Sequence, residues 1–200
     1  MPAPYTVTRN DYHDNPKSNT VYTPPHVSEF LFALLDHPSV RTVLDPAVGH
    51  GSLTAPWRAS GRAILGCDIA PDSSPFADKF LLGPFEGFTT WPLPRPDLIL
   101  CNPPFRGAPQ GDLYSEVFLR HMINLFGSTI PIVLFAPMGL RLNQFYKSNR
   151  RRWLRDSGVR ITSLMSLTRD TFPDVDFHAE VLFLNLPDLN PHYFVPDPPA

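Results

Sequence analysis

The chain alternates between short, nearly unbroken apolar runs and stretches in which apolar residues recur every three or four positions. In PPHVSEFLFALLDH (24–37), Val27, Phe30, Leu31, Leu34 and Leu35 share one helical face, and the prolines stand where a helix begins. RTVLDPA (41–47) reads as a strand that runs into a loop, and GSLTAPWRAS (51–60) follows it. RAILGCDI (62–69), KFLLG (79–83) and DLILCN (97–102) are three further strands. GDLYSEVFLRHMINLFG (111–127) has helical spacing in Leu113, Val117, Phe118, His121, Met122 and Leu125. TIPIVLFAP (129–137) is a fifth strand, NQFYKSNRRRWLRDSG (143–158) a helix closed by Gly158, and RITSLMSL (160–167) and AEVLFLNLP (179–187) two more strands.

This alternation predicts a three-layer α/β domain with a mostly parallel sheet, because strands covered on both faces read as continuous apolar runs. In such sheets ligands bind beyond the carboxyl ends of the strands. Three polar residues fall at those ends: Asp45, Asp68 and Asn102.

Composition adds limits. Two hundred residues, 42% of them apolar, suffice for one domain with a real core. A net charge of −2 and a pI near 6.4 give no bulk attraction to nucleic acid, so any such contact needs a local patch. No apolar stretch reaches the ~18 residues of a membrane span, and the first residues lack a signal-peptide core, which predicts a cytoplasmic protein. The 25 prolines cluster in loops and at both ends. The expected organisation is an N-terminal arm (1–17), a catalytic domain (18–187) and a proline-rich tail (188–200), with no separate target-recognition domain.

The strand ends carry the candidate chemistry. In VLDPAVGHGSLT, Asp45 is followed by Gly49 and Gly51, a spacing that permits a tight turn and close backbone approach to a ligand. Asp68 closes the next strand, where an acidic residue can hold a ribose through its hydroxyls. LILCNPPF (98–105) ends a strand in Asn102, two prolines without N–H groups, and the flat ring of Phe105. Acceptors on a stiff loop beside a stacking surface suit an amino group on a planar ring.

Together, DPAVGHG, NPPF and the upstream YTPP resemble motifs I, IV and X of S-adenosylmethionine-dependent amino-methyltransferases, in the order X, I, IV of the DNA adenine-N6 type. The resemblance implies a Rossmann-like methyltransferase fold, with a seven-stranded sheet and one antiparallel strand. It implies S-adenosylmethionine as cofactor and DNA as substrate, with no metal required. Tyr22, Thr23 and Pro24 match the segment at the methionine moiety. Asp45, Ala47 and Gly49 match the motif beside the cofactor, and Asp68 the ribose-binding acid. Asn102 and the Pro103 carbonyl match the acceptors for adenine N6, with Pro104 and Phe105 completing the catalytic loop and Phe105 stacking on the extruded base. DTFPDVDFHAEVLFLNLP resembles the motif VIII region and offers Phe172, Phe177 or His178 as a second wall. His50 departs from the usual serine between the glycines, and its side chain is expected to point outward. Motif III is out of register: GPFEGFTTW offers Glu86 and Phe88, or Pro84 and Phe85.

KSNRRRWLR concentrates cations, among which Arg151 and Arg155 lie four apart and can align on one helix face; a solvated face is the plain alternative. These two and Arg106 are the candidate phosphate contacts, with Arg141 weaker. Without a recognition region, the expected enzyme has low intrinsic sequence specificity or takes specificity from a partner subunit or homodimer, in a restriction-modification or phage setting. RNA or protein-glutamine methylation by the same loop, N4-cytosine as the target, and a non-catalytic cofactor-binding subunit are the competing readings. Cys67 and Cys101, on strands flanking the Asp45 strand, are expected to be too far apart for a disulfide.

Overall fold

Alternate side chains of a strand point to opposite faces, so a strand that is apolar throughout needs cover on both sides. The computed structural model describes residues 21–105, 113–142, 144–172 and 178–199. Its strands are β1 (Thr42–Asp45), β2 (Ala63–Asp68), β3 (Lys79–Leu82), β4 (Leu98–Cys101), β5 (Ile132–Pro137), β6 (Ile161–Ser166), β7 (Ala179–Leu184) and β8 (His192–Phe194). They form one sheet in the order β3-β2-β1-β4-β5-β7-β6-β8. β7 runs antiparallel to β5 and β6, and the other pairings are parallel.

Val43, Ile64, Leu98, Leu100, Val133 and Phe135 face one layer, where they pack with Val27 and Leu31 of α1 (Pro25–Leu35) and Trp57 of α2 (Ala55–Ala59). Leu44, Leu65, Ile99 and Leu134 face the other, against Phe118, Leu119 and Met122 of α3 (Tyr114–Phe126). α4 (Gly139–Leu142) and α5 (Asn149–Asp156) follow β5, and Trp153 and Leu154 of α5 pack on the α3 side. The predicted three layers are present, and each strand read from the apolar runs is a strand of the sheet.

Two expectations change. The sheet has eight strands rather than seven, because His192–Phe194, read as tail, pair with β6. Pro191 and Pro196 bracket this strand, which suits an edge position. Tyr193 anchors it, its ring 6.0 Å from that of Phe30 and 6.1 Å from that of Phe183. The helix predicted from residue 143 begins instead at Asn149. Ser148 caps it, its hydroxyl accepting the Arg151 N–H at 3.2 Å, a capping bond that fixes the start more strongly than the preceding residues extend it. Cys67 on β2 and Cys101 on β4 are free and buried, with β1 between them. Burial pushes the Cys67 thiol up to about 12 and that of Cys101 well above its ordinary value, so both are held as neutral thiols. No helix among the described residues is long and apolar enough to cross a membrane.

Candidate active site

The carboxyl ends of β1, β2 and β4 open into one cavity of about 400 Å³, within the usual range for small-molecule sites. β1 delivers Asp45, which is 2% exposed and accepts the Ala47 N–H at 3.1 Å. Burial pushes its carboxyl up to about 7; the Ala47 N–H pulls in the opposite direction, and the charge of Asp68 adds to the rise.

The chain then turns through Gly49 and Gly51, at φ of +48° and +70°. A Cβ on Gly49 would lie 3.2 Å from the Tyr22 ring, and one on Gly51 2.9 Å from Cβ of Phe76, so both sites need glycine for space as well as conformation. Asp68 at the end of β2 holds this turn: its Oδ2 accepts the Gly49 N–H at 2.8 Å and its Oδ1 the Ala70 N–H at 3.0 Å. A carboxylate has about four acceptor positions, so these bonds leave capacity for ligand hydroxyls.

His50 is exposed, as expected of a side chain turned outward, but it is not idle. It stacks on Tyr22, with ring centroids 4.5 Å apart and planes 15° from parallel, and its Nε2 lies 3.3 Å from the Tyr22 hydroxyl. On its other side Phe76 lies at 5.6 Å. The three rings form an outer rim beside the glycine turn.

β4 ends in Asn102. Its Nδ2 donates to the Val21 carbonyl and to Thr23 Oγ1, each at 3.2 Å. Because the Val21 carbonyl can only accept, the amide orientation is fixed with the nitrogen on that side. The oxygen, Oδ1, is buried and has no hydrogen-bond partner among the described residues. A buried acceptor left unmatched costs about 1–3 kcal/mol, and it belongs to a residue that lines the cavity.

The cavity gathers Tyr22, Thr23, Asp45, Ala47, Gly49, Asp68, Asn102, Pro103 and Pro104 from the predicted set. Pro24 instead serves the helix, its carbonyl accepting from Val27 and Ser28 at the start of α1. Phe105 is not part of the lining: it is half-buried against the core on the α1 side, 5.9 Å from Phe172, which is itself buried and packs on Phe135. His178 is exposed at the start of β7, its carbonyl accepting the Met138 N–H, away from the cavity lining. Arg151 and Arg155 line a separate concavity of about 660 Å³ with Arg141 and Tyr146. Phe177 and Arg106 lie outside the described residues.

The motif III register resolves to the cavity wall Gly83–Glu86, with Phe85 buried beneath it; Phe88 is not part of the lining. Tyr114 and Phe118 of α3 also line the cavity and were not singled out from sequence as site residues. The helical repeat marked Phe118 only as a packing residue and did not include Tyr114, and nothing local distinguishes a helix end that faces a ligand.

Residues 5–58 match a family model described as N-6 DNA methylase. Over 117 residues the chain is 31% identical to the type II methyltransferase M.TthHB8I of Thermus thermophilus, an overlap covering 55% of this chain and 26% of that protein. Among solved structures, the methyltransferase subunit of a type I restriction-modification system from Streptococcus thermophilus superposes with a TM-score of 0.64 at 16% identity, over 87% of this chain and 47% of that one. A TehB-like S-adenosylmethionine-dependent methyltransferase from Corynebacterium glutamicum gives 0.53 at 16%, over 82% and 87%. The chain has the class I S-adenosylmethionine-dependent methyltransferase fold. The resemblance to the DNA adenine-N6 methyltransferases read from YTPP, DPAVGHG and NPPF stands with it. The chain spans about a quarter of its curated relative and about half of the type I subunit.

S-adenosylmethionine is the cofactor that this methyltransferase fold implies, and the residues present fit it. Gly49 lines the cavity where a Cβ would crowd the Tyr22 ring at 3.2 Å, and Asp68 stands at the end of the neighbouring strand as an acceptor. Buried Asp45 offers a carboxylate for a cationic group.

Proposed function

We propose that this chain transfers a methyl group from S-adenosylmethionine to the exocyclic N6 of adenine in DNA, in the cytoplasm of a bacterium or as a phage product. The observation that carries this reading is the buried Oδ1 of Asn102, without a partner among the described residues, on a residue that lines the cavity. When bound, the cofactor supplies a methyl group already activated on a sulfonium.

Asn102 Oδ1 accepts a hydrogen of the target amine. The prolines fix that acceptor, so little ordering is left for the moment of reaction. The bond favours a more tetrahedral nitrogen and stabilises the positive charge that grows on it as the N–C bond forms and the S–C bond breaks. The surplus amine proton then leaves to water. The flanking ring of Phe105, backed by Phe172 and Phe135, provides a firm apolar face for the base. A base in a duplex reaches such a loop only by flipping, at a few kcal/mol, which stacking partly offsets.

Low intrinsic sequence specificity accompanies this reading, with selectivity supplied by a partner subunit or a second copy. Among the described residues the elements are those of the sheet and the helices and loops that cover it, and likeness to a type I methyltransferase subunit is in keeping with assembly.

The test is transfer of labelled methyl to unmethylated DNA, RNA and protein, followed by nucleoside analysis. N6-methyladenine in DNA is expected, and Asn102→Ala abolishes it while cofactor affinity changes little. N4-methylcytosine would reassign the base, and label in RNA or protein alone would reassign the substrate.

A further inference from the structure

Six cations run from Arg141 to Arg155; among the described residues three of them pair with carboxylates, and the Arg152 guanidinium donates to the Lys147 carbonyl at 3.2 Å and to Asn149 Oδ1 at 2.9 Å. Arg141 donates to Glu180 at 2.8 Å, and Glu180 is buried on β7. Arg150 pairs with buried Glu116 of α3, which also holds Arg120. Arg155 pairs with its neighbour Asp156. Lys147, Arg151 and Arg152 make no ion pair among the described residues. The sequence pairing of Arg151 with Arg155 therefore changes: the guanidinium of Arg155 faces a carboxylate, whereas that of Arg151 lies 5.1 Å from the Tyr146 ring centroid.

The same segment exposes two adjacent aromatic side chains, Phe145 at 85% and Tyr146 at 86%. Neither is held by the core, and large aromatic side chains are seldom so bare on a surface that does not use them. The segment is nonetheless anchored. Arg150 ties α5 to α3 through Glu116, and the guanidinium of Arg120 sits 4.2 Å from the Trp153 ring centroid. Glu116 lies on α3 between Tyr114 and Phe118, both of which line the cavity. The loop also leaves β5 at the end where β4 delivers Asn102, since the two strands are parallel with Cys101 opposite Leu134.

We propose that Phe145, Tyr146, Lys147, Arg151 and Arg152 form a docking platform for a nucleic-acid strand. An unpaired base stacks on the aromatic pair, and the cations hold the flanking phosphates. This rests on the reading of the cavity as a nucleic-acid methylation site. The choice of partner follows from charge complementarity. Exposed rings among three cations that have no carboxylate partner among the described residues match planar bases strung on a polyanion. On a chain with a net charge of −2, this is a local departure from the overall balance.

The experiment is a fluorescence anisotropy titration without cofactor, using a labelled single-stranded oligonucleotide and the matching duplex. Wild type, Phe145→Ala/Tyr146→Ala and Lys147→Gln are compared, each checked for an unchanged thermal melt. The single strand is expected to bind more tightly than the duplex. The double variant should weaken single-strand binding by about tenfold or more. Lys147→Gln should lower the slope of log affinity against log salt by about one. If the aromatic double variant binds the single strand as wild type does, the platform is overturned, whatever the methylation assay shows. If instead that variant loses only self-association of the protein, the surface joins two copies and the proposal is equally overturned. Loss of oligonucleotide binding in the double variant supports the platform even where no methyl transfer is detected, in which case only the catalytic reading fails.

Discussion

Asn102 Nδ2 donates to Thr23 Oγ1 at 3.2 Å, joining two segments that lie 79 residues apart in sequence. Thr23 is 3% exposed, so its hydroxyl has no ready water to replace this bond. The Val21 carbonyl, which can only accept, turns the amide so that its oxygen is the atom without a partner among the described residues, and the Thr23 hydroxyl gives the nitrogen a second acceptor. Thr23 of the upstream YTPP segment thereby holds the NPPF loop in addition to lining the cavity.

Thr23→Val tests that coupling. It keeps the volume and removes the acceptor, leaving the amide held by the Val21 carbonyl alone. One such hydrogen bond is worth about 1 kcal/mol, so kcat is expected to fall about fivefold to tenfold. Thr23→Ser keeps the hydroxyl and should restore most of the rate. Equal losses in both variants would show that packing, not the hydrogen bond, is what Thr23 contributes.

His50 offers a second test. It supports Tyr22 by stacking, and Tyr22 in turn closes over Gly49. Aromatic pairs contribute about 0.5–1.5 kcal/mol beyond area burial. His50→Ala should therefore weaken cofactor affinity about threefold to tenfold by calorimetry, with kcat at saturating cofactor nearly unchanged. His50→Phe, which retains a flat ring, should bind close to wild type.

These contacts mark the limit of what the chain discloses by itself. The three layers and the strands were legible because unbroken apolar runs, for strands covered on both faces, and helical faces of period three to four follow directly from burial. Asp45, Asp68 and Asn102 were legible because each ends such a run. The eighth strand was not, since three residues between prolines carry no period. Nor was the bond from Asn102 to Thr23, because closure between distant segments leaves no local pattern. Arg151 and Arg155 show the same limit: helical spacing aligned them, but the carboxylate beside Arg155 decides which of the two stays available.

Gly66 carries a stability prediction. It sits inside β2, opposite Asp45 of β1 and Phe80 of β3. A Cβ there would lie 2.6 Å from Cβ of Ala77 and 3.1 Å from Cγ1 of Val48. Val48 belongs to the glycine turn, so relief of the clash must disturb either that turn or the loop before β3. Overpacking of this kind costs about 1–3 kcal/mol. Gly66→Ala is expected to lower the melting temperature by several degrees and to weaken cofactor binding. Gly61→Ala, whose Cβ would meet nothing within 4 Å, is the control for left-handed backbone strain alone.

The buried carboxyl of Asp45 predicts how the protein responds to pH. Burial first, and the charge of Asp68 in addition, raise it from 3.8 to about 7, against the opposing Ala47 N–H. Between those two values the folded protein holds a proton that the unfolded chain has lost. Stability therefore declines as pH rises from about 4 towards 7 and levels off above it. The full span corresponds to about 4 kcal/mol for this group. A cationic group of the cofactor beside Asp45 would favour the carboxylate and draw its pKa down. Binding should then release close to one proton below pH 7, with affinity falling up to tenfold for each further pH unit on the acid side. Calorimetry in two buffers of different ionisation enthalpy reads that proton directly. Asp45→Asn should abolish the release, flatten the affinity profile and remove the decline in stability between pH 4 and 7. Proton release that persists undiminished in Asp45→Asn would assign the linkage to another group.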